Sequence, residues 1–108
     1  MAASSPRAPS HLTAPTKAWW RQVAAEYDLE AHHLRLLTLA CEAWDRAAQA
    51  REILAESGPV IDDRFGQPKA HPAVAIERDA RIAFARLVRE LDLDGEPLPD
   101  PRMPRRRG

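Results

Sequence analysis

The stretch between Asp28 and Ser57 constrains everything else this chain of 108 residues can fold into. It reads LEAHHLRLLTLACEAWDRAAQAREILAE, helical text without a Pro or Gly. Asp28 is the expected N-cap, with Glu30 favourably placed in the first turn beside the positive end of the helix dipole. Ser57-Gly58-Pro59 stops the helix near Glu56, because Gly supplies a positive φ and Pro cannot continue. Within it, Leu34, Leu37, Cys41, Trp44 and Ala48 recur at helical spacing, and so do Leu36, Ala40, Ala43, Ala47, Ala50 and Leu54. At about 100° per residue, Leu34 and Leu36 point about 200° apart, so one helix carries two nearly opposed apolar seams. Either the neighbouring helices of the same chain sandwich it, or the Ala-lined seam meets another copy, where small side chains let backbones approach. Self-association is the expectation taken forward, with Leu36, Ala40, Ala43, Ala47, Ala50 and Leu54 as candidate subunit contacts.

Two further helices flank this one. The first is expected to begin at Thr13, an N-cap hydroxyl, with Pro15 in the opening turn where its missing N–H costs nothing. Trp19, Val23 and Tyr27 form its apolar stripe, with Trp20 and Ala24 beside it. After the central helix, Val60-Ile61 and Gln67-Pro68-Lys69 are the arms of a short hairpin or ordered loop. Asp63-Arg64-Phe65-Gly66 is its turn: Gly66 tolerates φ > 0 and Asp63 can bond its own backbone. Pro72 forces His71 out of the α region and starts the third helix. There Ile76, Ala80, Ala83, Phe84, Leu87, Val88 and Leu91 share one arc, while Arg78, Arg81, Arg86 and Arg89 lie opposite among Glu77, Asp79 and Glu90. That arginine stripe is either a solvated, ion-paired face or a contact for nucleic acid or a partner. The fold class expected is therefore mainly α: three helices, a long central one, and a short β-hairpin before the last.

The foldable region spans roughly residues 13–93. Residues 1–12 show no periodicity, and 94–108 hold Pro97, Pro99, Pro101 and Pro104, so both ends are expected to be flexible tails. The overall balance of 16 basic and 16 acidic groups conceals an asymmetry, since Arg102, Arg105, Arg106 and Arg107 crowd a C-terminus that lacks acids beyond Asp100. A basic tail on a mildly acidic body points to a polyanionic partner.

Reaction chemistry finds little here. Cys41 is the lone cysteine and falls on an apolar seam, which suits a buried small hydrophobe in a reducing compartment. His32 and His33 point about 100° apart on a helix, are expected to be exposed, and with Cys41 and His71 form no metal-ligand spacing. No phosphate-binding loop or nucleophile motif is present, so neither an enzyme, a cofactor nor a metal site is expected. No apolar run approaches the ~18 residues of a membrane span, and the N-terminus lacks a secretory signal, so a cytoplasmic location is expected.

Two blocks carry a resemblance. LTAPTKAWWRQVAAEYDLE at 12–30, with its paired Trp19-Trp20 before Glu26-Tyr27, precedes the long Leu/Ala helix; DRFGQPKAHPAVAIERDAR at 63–81 follows it. In this order they resemble the phage terminase small subunit family over about residues 12–93. The resemblance implies a non-catalytic DNA-packaging protein that forms rings, helps select double-stranded viral DNA, and recruits and regulates the large terminase subunit, which carries ATPase and nuclease. It also implies the cytoplasm of a bacterial host. Some members carry a helix-turn-helix domain before the ring-forming part; with about a dozen residues before the first helix here, a separate N-terminal reading head is not expected. DNA contacts are then expected from Arg102, Arg105, Arg106 and Arg107 acting on phosphates, with Lys17, Arg21 and the Arg78, Arg81, Arg86 and Arg89 stripe as further candidates. The tail could equally dock on an acidic surface of the large subunit. Phe65 either packs on a neighbouring helix or serves a subunit or large-subunit contact. The alternative functions are a small helical DNA-binding transcriptional regulator, or a structural phage protein that never touches DNA.

Overall fold

The structure, a computed structural model, describes residues 6–93 and the backbone of residues 105–106. In chain order the elements are α1 (Ala14–Glu26), β1 (Tyr27–Asp28), α2 (Ala31–Ser57), β2 (Val60–Asp62), β3 (Pro68–Ala70), α3 (Pro72–Leu91) and β4 (Arg105–Arg106). The architecture is mainly α, as the sequence predicts, with the short antiparallel pair β2–β3 ahead of the last helix. Of the expected tails, residues 1–5, 94–104 and 107–108 lie outside the described residues.

α2 and α3 form an antiparallel helical hairpin. Leu37 and Leu91 share the core at one end. One heptad along each helix, the Trp44 and Phe84 rings stand 5.0 Å apart. A heptad beyond, Arg51 lies 3.7 Å from Glu77. Equal steps taken in opposite directions are the register of an antiparallel coiled coil. The Ala-lined seam faces this contact: Ala40, Ala43, Ala47 and Ala50 are buried, as are Ala73 and Ala80 of α3. Methyl groups fill the interface, so the two axes can approach closely.

α1 packs on the flank of the Leu34–Trp44 seam that α3 leaves uncovered. Trp20, Val23, Ala24 and Tyr27 join Leu37 and Cys41 in one buried cluster, and the Trp20 indole N–H donates to Thr38 Oγ1 at 3.2 Å. α1 runs antiparallel to the first half of α2, from Thr38 at its middle to Asp45 at its start. The chain's own helices thus cover all four central alanines of one seam, and the other seam in part. The expectation that Ala40, Ala43, Ala47 and Ala50 lie open to another copy does not match this placement. The reason is register: a full-length α3 folds back along the whole of α2, where a shorter return would have left the alanines bare. Leu36 and Leu54, at the ends of the seam, are half-buried.

Several boundaries differ from the sequence expectation. Residues 6–12 are not loose: Leu12 belongs to the core, Ala8 packs against it, and His11 Nε2 reaches Glu42 at 2.7 Å. α2 is capped by Glu30 rather than Asp28, which sits in β1. His33 stands four residues before Leu37 and so on the same, core-facing side of α2. His33 is consequently only 2% exposed, with its Nδ1 accepting the Glu30 N–H at 3.2 Å, while His32 remains exposed as expected. β4 pairs antiparallel with β1, Arg106 opposite Tyr27 and Arg105 opposite Asp28, so part of the C-terminal segment returns to the α1–α2 corner.

The interlude follows its sequence chemistry. Asp63 Oδ1 accepts the N–H groups of Phe65 (2.8 Å) and Gln67 (2.9 Å), and Gly66 has φ +76°. β2 and β3 pair with Ile61 opposite Lys69. His71, extended at φ −62° and ψ 136°, caps α3 by accepting the Ala73 N–H on Nδ1 at 3.0 Å. Gly58 ends α2 at φ 78° and ψ 163°, an extended region open essentially to Gly alone. A Cβ there would meet nothing within 4 Å, so only backbone strain opposes it. Gly58→Ala is expected to cost about 1–3 kcal/mol, read as a lower Tm with unchanged helical content.

Candidate nucleic-acid and subunit interface

The basic residues divide into three groups. Lys17 and Arg21 lie one turn apart on α1, roughly opposite Trp19 at about 100° per residue. Since Trp19 faces Phe84 of α3, with ring centroids 6.0 Å apart, these two cations flank the side of α1 turned away from α3. Arg78, Arg81, Arg86 and Arg89 are exposed on α3. Two of them are partly neutralised: Arg78 lies 3.2 Å from Asp79, and Arg81 3.8 Å from Glu77, which also meets Arg51. Among the described residues no carboxylate pairs with Arg86 or Arg89. Exposed pairs of this kind add about 0–1 kcal/mol and leave the cations able to exchange partners. The tail forms the third group. Arg102 and Arg107 lie outside the described residues; Arg105 and Arg106 are placed by backbone pairing with β1. Tyr27 and Arg89 line one groove of about 470 Å³ between α1 and the end of α3. The fold therefore gathers the tail backbone and the last arginine of the stripe at one end of the molecule, and leaves Lys17 and Arg21 apart from them.

A polar clamp fixes α1 on α2. Asp45 Oδ1 accepts the Thr16 hydroxyl at 2.6 Å, and Asp45 Oδ2 accepts the Thr13 N–H at 2.9 Å. Thr13 Oγ1 lies 2.9 Å from both Thr16 Oγ1 and Asp45 Oδ1, so its side chain serves Asp45 instead of capping α1 as expected. Partial burial alone would raise the Asp45 carboxyl. The bonds from Thr16 and Thr13, with the nearby His11, outweigh burial and hold it below its ordinary value. Beneath it the Cys41 thiol is pushed up to about 12 by burial first and then by the Asp45 and Glu42 charges, which makes it a packing residue.

The clamp also shapes an apolar cleft. Trp19, Trp44 and Phe84 meet with Pro15 and Thr16 around a cavity of about 310 Å³, the Trp44–Phe84 planes tilted by 58°. Trp44 is 48% exposed there. These aromatics lie on the apolar stripes of their helices, and the cleft arises because α1, whose start is held at Asp45, covers no more of the seam. Phe65 does not pack on a helix. It stands 73% exposed at the β2–β3 turn, with the Arg64 guanidinium 4.8 Å from its ring centroid. Other exposed apolar residues, Leu39, Ile53 and Ile76, lie on the α2–α3 hairpin. Among the described residues no three His, Cys, Asp or Glu side chains gather to hold a metal ion, and no helix is long and apolar enough to cross a membrane.

A depressed carboxyl contributes stability that is present above its ordinary value of 3.8 and is lost as pH falls through the lower folded value. Wild-type protein is therefore expected to lose stability from about pH 4 downward, and Asp45→Asn to lower Tm at neutral pH while flattening that acid limb. Thermal melts across the acid range measure both.

The comparison with protein families places this geometry. The family model described as phage terminase, small subunit, matches residues 16–96, from the third residue of α1 through the β2–β3 interlude and all of α2 and α3. None of the curated proteins and none of the solved structures gives a significant match to the chain. With a family model covering about three quarters of its length, the chain belongs to the phage terminase small subunit family.

Proposed function

We propose that the protein is a non-catalytic adaptor of viral DNA packaging. It binds double-stranded viral DNA, assembles into a ring, and recruits and regulates the large terminase subunit in the cytoplasm of the bacterial host. The family match over residues 16–96 carries this reading. The distribution of charge supports the DNA part: exposed arginines on α3, and a tail whose backbone returns to the corner beside Arg89. Flexible guanidinium groups engage phosphates without reading bases, so the expected binding is strongly salt-dependent and modest in sequence preference. Repetition around a ring sums weak single contacts by avidity.

The exposed apolar side chains support the oligomeric part. Leu39, Ile53 and Ile76 on the hairpin, Trp44 at the cleft and Phe65 at the turn are large apolar side chains left exposed and open to contact with another chain. With Ala40, Ala43, Ala47 and Ala50 occupied inside the subunit, these residues are the surface through which copies would meet.

Mobility shift across a salt series tests the DNA reading. Deleting residues 102–108 is expected to weaken binding and to reduce the log–log salt slope by about 0.9 for each phosphate that the tail neutralises. Unchanged affinity and slope would remove the tail from DNA binding. Arg86→Ala with Arg89→Ala tests the α3 stripe in the same assay, with an expected uniform loss across DNA sequences. Native mass spectrometry tests assembly: a folded single chain at high concentration contradicts the ring.

A further inference from the structure

We propose that the Arg64-Phe65 turn of one copy seats in the Trp19–Trp44–Phe84 cleft of the next, and that this head-to-tail contact links the subunits of the ring. The inference rests on the oligomeric part of the function proposed above and assigns its two contacting parts.

The donor is a preformed anchor. Phe65 is 73% exposed, yet its backbone is fixed by the Asp63 carboxylate, which accepts both Phe65 N–H and Gln67 N–H, and by the positive φ of Gly66. An aromatic residue held rigid before binding gives up little conformational entropy on docking, which suits a residue that dominates an interface. The acceptor is aromatic on three sides, and rings at tilted or offset angles gain beyond their buried area. Its volume of about 310 Å³ is at the small end of the roughly 300–1,000 Å³ range for pockets, a size for one inserted side chain rather than a peptide.

Arg64 rides on the Phe65 ring with its guanidinium 4.8 Å from the centroid, so the cation enters with the aromatic, and the indole faces of Trp19 and Trp44 in the cleft suit a guanidinium.

The turn cannot reach the cleft of its own chain. From Trp44 to Ser57 α2 is continuous helix, which holds the two about 20 Å apart at 1.5 Å per residue. The occupant comes from another chain, and a second copy supplies the matching turn. Because donor and acceptor are different patches at different places, the contact is heterologous, the kind that generates a closed ring when its rotation permits.

Phe65→Ala and Trp44→Ala each remove one half of the contact, and both side chains are exposed enough for the fold to survive, as circular dichroism and Tm would verify. Each variant alone is expected to sediment as a single chain where wild-type protein forms the ring. Mixed, they are expected to give a one-to-one dimer and nothing larger, since only the turn of the Trp44→Ala copy and the cleft of the Phe65→Ala copy remain competent. A second measurement keeps both anchors: Gln67→Cys in one copy and Pro15→Cys in another should be joined by a short bifunctional maleimide, with buried Cys41 silent. A folded Phe65→Ala or Trp44→Ala variant of wild-type mass overturns the proposal. So does a mixture giving neither the dimer nor the cross-link. If Trp44→Ala keeps the ring but loses the large subunit in a binding assay, the cleft belongs to that partner and the subunit contact is refuted. A wild-type protein that is itself a single chain refutes the ring, a result distinct from a ring that ignores these variants.

Discussion

The close contact between α2 and α3 is the constraint on which the remainder of the structure depends. Its register runs through Leu37, Trp44 and Arg51, with the buried alanines Ala40, Ala43, Ala47 and Ala50 on α2 and Ala73 and Ala80 on α3. Small side chains bury less apolar area each than leucines do, but they bring two backbones together along their whole length. The heptad register from Leu37–Leu91 through Trp44–Phe84 to Arg51–Glu77 then fixes which residues face outward. Once that register is set, the arginines of α3 lie outside, the β2–β3 turn stands at the far end, and Trp44 lies at the edge of the coil.

α1 adds to this frame from one side and over half its length. Its apolar stripe closes the core over Leu37 and Cys41, while the Thr13–Thr16–Asp45 clamp fixes where it starts. A helix that begins at that point leaves Trp44 uncovered and creates the aromatic cleft. The same short helix ends at Tyr27-Asp28, an extended pair whose backbone edge receives Arg105–Arg106. Both sites on this side of the molecule therefore follow from the length of one helix and from the carboxylate that holds it.

Much of this is legible in the sequence where local chemistry decides. Pro72 and His71 mark the restart of α3, Asp63 and Gly66 the turn, and Gly58-Pro59 the end of α2, because each depends on backbone dihedrals that only neighbouring residues influence. The N-cap of α2 is not legible in the same way. Asp28 and Glu30 both suit a helix start, and the reciprocal cap between Glu30 and His33, in which His33 Nδ1 accepts the Glu30 N–H, fixes the start at Glu30 while Asp28 pairs in β1. His33, four residues before Leu37, shares its buried face. The role of Asp45 is invisible in the sequence: on its own helix it is one acid among charged neighbours, and only folding α1 against it supplies two hydroxyls and an N–H.

The sequence by itself determined the three helices, the interlude between the last two, and through its two blocks the family. These rest on periodicity and turn chemistry, which act over a few residues. Tertiary structure alone decided the register in which α3 lies along α2, and so that the alanines are buried while Trp44 and Phe65 stay open. Apolar residues spread round a helix are equivalent until partner helices pack on some of them, and that choice depends on loop length and register across the whole chain.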